Sequence, residues 1–449
     1  MKKIQLLLII CLVVLPLSVY AQDADSDSFW ENAALWPEDD SVWENDPFWI
    51  DTGTVQKKDN AARNEPQKPR MKNRGFEIGL VNLDIGIANN FLAASEFFQE
   101  TFVIDMDEFK KGLNMGLNFM ISPFHFQYNK DDNWGFGLAT NVEGALFANL
   151  SGDMLSISEA ADKVSDIGGG IFAETGVNAF FHVKQFKVKV KPALYFPIVY
   201  VKQPAMSYTR KTITQNDGTR ETVLDVSWTM RAYTIGSFEN MDNGFNISAA
   251  PGIDINLGAE YPLAKVLGLS DKFKFLDFDV GLDFVHVPFI PATMKDYMET
   301  SGSIGTGNEP LDILNIDQEK LINISGDPVY GQDSFAALRP FKMLAWADWR
   351  PFESPIFTLT PLFGFAINPL YNEVFSIESG LKARLDLDNM FMVTLGINYE
   401  DRLWKNSIAF ALNLRAVEFD LGLDIRSQDF LKSWQGSGLG VVLGLKFGW

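Results

Sequence analysis

LGVVLGLKFGW, residues 439–449, places Leu439, Val441, Leu443, Leu445, Phe447 and Trp449 on one face of a strand and leaves glycines, Val442 and Lys446 on the other. Successive strand residues point to opposite faces, so this spacing predicts one strip facing lipid and the other a barrel interior. The stretch also ends on an aromatic residue. Leu445, Phe447 and Trp449 therefore read as the assembly signal of a bacterial outer-membrane barrel, with the barrel-assembly machinery and outer-membrane lipid as partners.

The other end agrees. Lys2 and Lys3 precede the apolar run 4–17, and Val19, Tyr20 and Ala21 end it on a small residue, which predicts a secretory signal over 1–21. The run is too short for a membrane-spanning helix. Its removal takes Cys11, the one cysteine, so thiol and disulfide chemistry is not expected in the mature chain. Acidic residues outnumber basic ones 58 to 38, which excludes nucleic acid as a partner. The mean hydropathy of -0.02 suits strands that alternate apolar and polar faces.

Residues 22–74 form a charge-divided tail, expected to lie in the periplasm. Ten acidic residues and no basic one fall in 22–51, and seven basic residues in 57–74. Trp30-Glu31-Asn32 with Trp36 recurs as Trp43-Glu44-Asn45 with Trp49, thirteen residues on. Exposed tryptophan gains by burial in a partner, so Trp30, Trp36, Trp43 and Trp49 are candidate docking residues for a periplasmic partner. A solvated spacer, or a strip folded against the barrel mouth, is the alternative.

From Gly75 to Trp449 the chain alternates as strands do. Breaks in parity near Val81 and before Phe124 predict bulges. The cleanest runs are 375–387, 391–400, 408–415 and 418–425, whose charges share one face. The expected fold is an all-β transmembrane antiparallel barrel of about 14 strands, with short helical insertions and a disordered N-terminal tail. Three insertions, 91–111, 152–168 and about 289–339, interrupt it.

Enzymatic chemistry has little support: the sequence shows no metal-ligand spacing, phosphate loop or nucleophile elbow, and no cofactor is expected. Parity turns His125 and His182 inward and puts His286 on the face of Leu282 and Phe284. Asp277, Asp279 and Asp283 are expected to share the lumen with Lys382, Arg384 and Arg415. They would serve either as pairs that hold the barrel or as a path for a charged group.

The opening run GFEIGL, residues 75–80, its continuation GIANNFL at 86–92, the apolar excursion after it and the aromatic last strand resemble the spirochaete outer-membrane barrels grouped with the long-chain fatty acid transporters. The resemblance implies a 14-stranded barrel with an N-terminal plug, apolar extracellular loops that collect a hydrophobic ligand, and a lateral or lumenal exit. Phe97, Phe98, Phe102 and Ile104, together with 289–339, would then form the capture surface for passive uptake of hydrophobic or amphiphilic molecules. The competing expectation is a barrel that anchors adhesive loops or the tail.

Overall fold

A computed structural model describes residues 75–90, 112–130, 133–151, 166–214, 220–237, 247–269, 273–305, 322–324, 328–352, 356–414 and 416–448. Period-2 alternation over these segments builds fourteen antiparallel wall positions. They are β1 (Phe76–Asn89), β2 (Gly112–Lys130), β3 (Trp134–Ser151), β4 (Asp166–Val183) and β5 (Phe186–Thr214). Three interrupted positions follow: β6 (Arg220–Thr234, then Gly252–Tyr261), β7 (Asp277–Ile290, then Ala292–Gly305) and β8 (Ile322–Ile324, Val329–Ala337, Phe341–Arg350). The rest are β9 (Phe357–Ile367), β10 (Phe375–Leu387), β11 (Phe391–Glu400), β12 (Leu403–Asn413), β13 (Val417–Ser427) and β14 (Leu439–Gly448).

Each strand pairs with its chain neighbours, and β14 closes on β1 from Ile78↔Phe447 to Ile87↔Leu439. Closure leaves the sheet without a free edge in its lower ring, the condition for crossing hydrocarbon with strands. The bulges expected near Val81 and before Phe124 are present, between Gly79 and Val81 and between Ile121 and Phe124.

Faces decide what surrounds the barrel. Leu80, Ile85 and Ile87 of β1, Phe136 and Leu138 of β3, Leu381 and Leu385 of β10 and Leu421 and Leu423 of β13 are exposed outward, while Asp84, Glu174, Lys191, Glu378, Asp424 and Arg426 are buried inside. A β-sandwich in water would have the opposite arrangement. The barrel is therefore a transmembrane one of outer-membrane type.

Strand lengths set where the bilayer ends. β9 to β14 have 10 to 13 residues, just enough to span hydrocarbon when tilted. β5 has 29, so β5 and its neighbours rise well beyond the membrane. The rim carrying Phe76 and Gly448 has the short turns and is the periplasmic one; the tall strands end at the extracellular rim.

β6, β7 and β8 break at one height. β6 stops at Thr234 and resumes at Gly252, Pro291 separates the two halves of β7, and 338–340 separate Val329–Ala337 from Phe341–Arg350 in β8. Pairing resumes on both sides, with Thr234↔Asp296 above and Ile253↔Ile290 below. Residues 292–305 and 329–337, expected inside a loop, are wall strands. His286 does not share the face of Leu282 and Phe284. Val285 and His286 together oppose Asn256, and this bulge, with His286 at φ 52°, turns the imidazole inward. The helix expected over 152–168 falls mostly outside the described residues, and 166–168 begin β4.

Candidate functional site

The extracellular end of the lumen is filled with rings. Phe147 of β3, Phe172 of β4, Tyr195 and Tyr200 of β5, Tyr233 of β6 and Leu370 and Tyr371 of the β9–β10 turn form one buried cluster, against which Tyr297 of β7 and Phe335 of β8 pack. Two pairs are stacked nearly parallel: Phe147 on Tyr371, with centroids 4.0 Å apart, and Tyr233 on Phe335 at 4.4 Å. Tyr195 shares its inward face with Lys191, so these rings occupy positions that alternate with lipid-facing ones. Aromatic pairs of this kind gain about 0.5–1.5 kcal/mol beyond the area they bury.

The β9–β10 turn, 368–374, reaches across the mouth to strands nearly opposite. Tyr200 Oη donates to the Pro369 carbonyl at 3.2 Å, Gln203 donates to the Leu370 carbonyl, and the Asn372 amide donates to Asp166 Oδ1 at 3.0 Å. The Arg402 guanidinium lies 4.7 Å from the Tyr371 ring centre. Burial holds the Tyr371 phenol well above its ordinary pKa, so the ring stays neutral. In this state the turn bridges the mouth.

Below the rings the lumen is charged. Arg339, in the break of β8, pairs with Glu143 at 2.9 Å, with Asp254 at 3.3 Å and with Glu174, which also takes Lys191. His286 Nδ1 donates to the Pro340 carbonyl at 3.0 Å, which leaves Nε2 to accept from Arg339. A second network joins β1, β12 and β13, with Lys405 3.5 Å from Asp84 and 3.6 Å from Asp424, and Arg426 bound to both acids. Lys342 pairs with Glu400 at 2.7 Å and Asp401 at 2.9 Å.

Tyr195 joins the two layers. Its ring lies 5.5 Å from the Arg339 guanidinium, and its hydroxyl donates to the Ala337 carbonyl at 3.0 Å while accepting from the Ala292 amide at 3.1 Å. These backbone groups flank the breaks in β7 and β8. Only glycine fits beneath the ring at 252, since a Cβ there would collide with Tyr195 and the Ala292 amide.

The expected site residues fall as follows. Asp277 and Asp279 sit at the periplasmic rim on Arg350, Asp277 at 3.1 Å, and Asp283 is buried and accepts from Trp346 Nε1 at 2.6 Å. Lys382 is buried inside, and Arg384 is half-buried on the same face of β10. Arg350 and Trp346 both belong to β8, the strand adjacent to the three aspartates. Leu445 and Phe447 lie on the outer face of β14. Phe97, Phe98, Phe102, Ile104, Arg415, Trp449, Trp30, Trp36, Trp43 and Trp49 lie outside the described residues. His125 is buried inside, 3.4 Å from Glu77, whereas His182 is exposed at the rim.

Arg339, Arg350 and the ring cluster were not anticipated. Arg339 has no strand parity to read, and the partners of β7 become visible only once its neighbour is known. Tyr195 did leave a signal, as an aromatic on the lysine-bearing face of β5.

No protein-family profile matches the chain, and no characterised protein is detectably similar in sequence. Among solved structures it is similar to a "TodX monoaromatic hydrocarbon channel deltaS2 mutant", at 8% identity and TM-score 0.44, covering 85% of this chain and 91% of that one. The Pseudomonas putida toluene transporter TodX gives 9% and 0.42, covering 83% and 89%. A Rh. blastica porin mutant gives 6% and 0.23, covering 82% and 100%.

Proposed function

We propose that this barrel admits hydrophobic or amphiphilic small molecules, such as long-chain fatty acids, passively from outside the cell. The ring layer at the extracellular mouth carries the reading. An apolar molecule leaving water gains by contact with such rings. Asn90 supports a capture role for 91–111: its side chain donates to Gly112 O and accepts from Asn114 N, both at 2.9 Å, pinching the neck of that excursion at the same rim. Phe97, Phe98, Phe102 and Ile104 would then feed the mouth.

The ion-paired lumen below offers an apolar molecule nothing. Exit through the wall needs the fewest hydrogen bonds broken where β6, β7 and β8 are already interrupted and Pro288 and Pro291 lack donors. The tail 22–74, following a leader over 1–21, would start from the periplasmic rim and present its tryptophans to a partner there.

Tyr371→Ala tests this. Loss of its stack and its buried area removes roughly 2–4 kcal/mol from the bridging turn, enough to raise an open population more than tenfold. Proteoliposomes holding the variant should take up a fluorescent fatty acid faster than wild type, with saturable binding kept. The networks of buried pairs favour the other reading, a closed barrel that only anchors its loops and tail. No saturable binding by either protein would establish that reading and dismiss uptake.

A further inference from the structure

The outward residues of β12 are Trp404, Asn406, Ile408, Phe410 and Leu412, and one of them is an amide. An amide facing hydrocarbon must find a partner. Asn406 is buried, and its Nδ2 donates to Ser433 Oγ at 2.8 Å. Ser433 belongs to the short helix α2 (Phe430–Gln435), whose position is thereby fixed outside the barrel, on the lipid-facing wall of β12 and β13. Among the described residues the other short α-helix is α1 (Leu263–Val266), in the periplasmic turn before β7.

The sequence builds α2 locally. The Asp429 carboxylate caps the Leu431 amide at 2.8 Å and the Lys432 amide at 3.2 Å, and Gly436 ends the helix at φ 80°. Lys432 turns away from the lipid and donates to Asn90 O at 2.7 Å. Phe430 packs on the outward ring of Trp404 at 4.8 Å, and Trp434 packs on Phe430 at 6.3 Å. The outer side of the helix is apolar and open: Leu431 is 69% exposed and Trp434 56%.

We propose that α2 is an interfacial helix whose Phe430, Leu431 and Trp434 dock into the outer leaflet of the membrane, at the boundary between headgroups and acyl chains. Continuity identifies the occupant. Below α2 the same wall presents Phe410, Leu412, Leu421 and Leu423 to lipid, so a strip that already faces acyl chains runs directly into the helix. Tyr399, 5.0 Å from Trp404, adds the amphipathic ring chemistry that favours this depth. A helix this short cannot insert; it lies in the plane.

Depth-dependent quenching tests the assignment on the full chain, with Cys11→Ser removing the native thiol. Leu431→Cys and, separately, Trp434→Cys carry a bimane label in phosphatidylcholine vesicles with nitroxides at shallow or deep acyl positions, after heat-modifiable migration confirms a folded barrel. Both labels should be quenched more by the shallow nitroxide than the deep one and be shielded from aqueous iodide. Glu373→Cys, on the exposed mouth turn, should show iodide quenching alone. Iodide quenching without nitroxide quenching at 431 and 434 would overturn the proposal, as would shielding that appears only at high protein density and marks a second copy as the occupant.

Discussion

The mouth and the lumen of this barrel are both buried and both contact several strands, but they are held by forces of different kind. Rings at the mouth attract through dispersion and area, which weaken gradually as they separate and can be replaced by a hydrophobic guest. Charges in the lumen pair through directional bonds in a medium that penalises any one left alone. The mouth can therefore part while the lumen keeps its shape. A barrel whose charges filled its mouth and whose rings filled its lumen would be locked where it needs to open.

The largest effect should come from breaking the lumen. Arg339→Ala leaves Asp254 without its ion partner and Glu143 and Glu174 depleted, a loss of roughly 3–5 kcal/mol for a buried charge cluster. Urea unfolding in lipid, followed by heat-modifiable migration, should show a much earlier midpoint than wild type. Tyr371→Ala, measured alongside, should move that midpoint far less while changing uptake. Equal midpoints for Arg339→Ala and wild type would erase the distinction between the two layers.

Much of this architecture was legible in the chain because lipid imposes a strict alternation. The strands within 375–425 and the last strand, 439–448, display it most plainly. Legibility failed where the strands leave the bilayer. In 292–305, Thr293, Lys295, Tyr297 and Glu299 alternate with Met294, Asp296 and Met298, so neither face is consistently apolar, and the nearby prolines and glycines imitate a loop. His286 was misplaced by a single extra residue, since a bulge inverts parity beyond it. Of the candidate site, Asp283 and Lys382 could be placed inside from parity alone. Arg339 could not, because its position depends on a break in β8. The helix α2 was readable in principle from Asp429 and Gly436, which bracket it as cap and stop.

A smaller effect is expected at the junction of the layers. Tyr195→Phe keeps the ring against Phe172 and Arg339 but removes the hydroxyl that serves Ala292 N and Ala337 O. Leaving buried backbone groups without that partner costs roughly 1–3 kcal/mol. Hydrogen exchange should quicken at the Ala292 amide, with amides in β12 to β14 unchanged, since the interruption concerns only β6 to β8. Uniform protection across both sets would show that the breaks are sealed by something other than this hydroxyl.

The smallest effect should come from the charges that face water. Arg350 binds Asp277 and Asp279 at the periplasmic rim, where both carboxylates are about a third exposed. Water can solvate either partner once the other is gone, so Arg350→Ala should cost about 0.2–1 kcal/mol, a fraction of the Arg339→Ala effect despite the same loss of one guanidinium. Salt provides a second discriminator. Raising ionic strength screens an exposed pair and leaves a buried one nearly untouched. The difference in unfolding midpoint between Arg350→Ala and wild type should therefore shrink in high salt, while that between Arg339→Ala and wild type should persist. If both differences shrank together, the lumen network would be hydrated like the rim, and it could no longer be treated as the rigid half of the molecule.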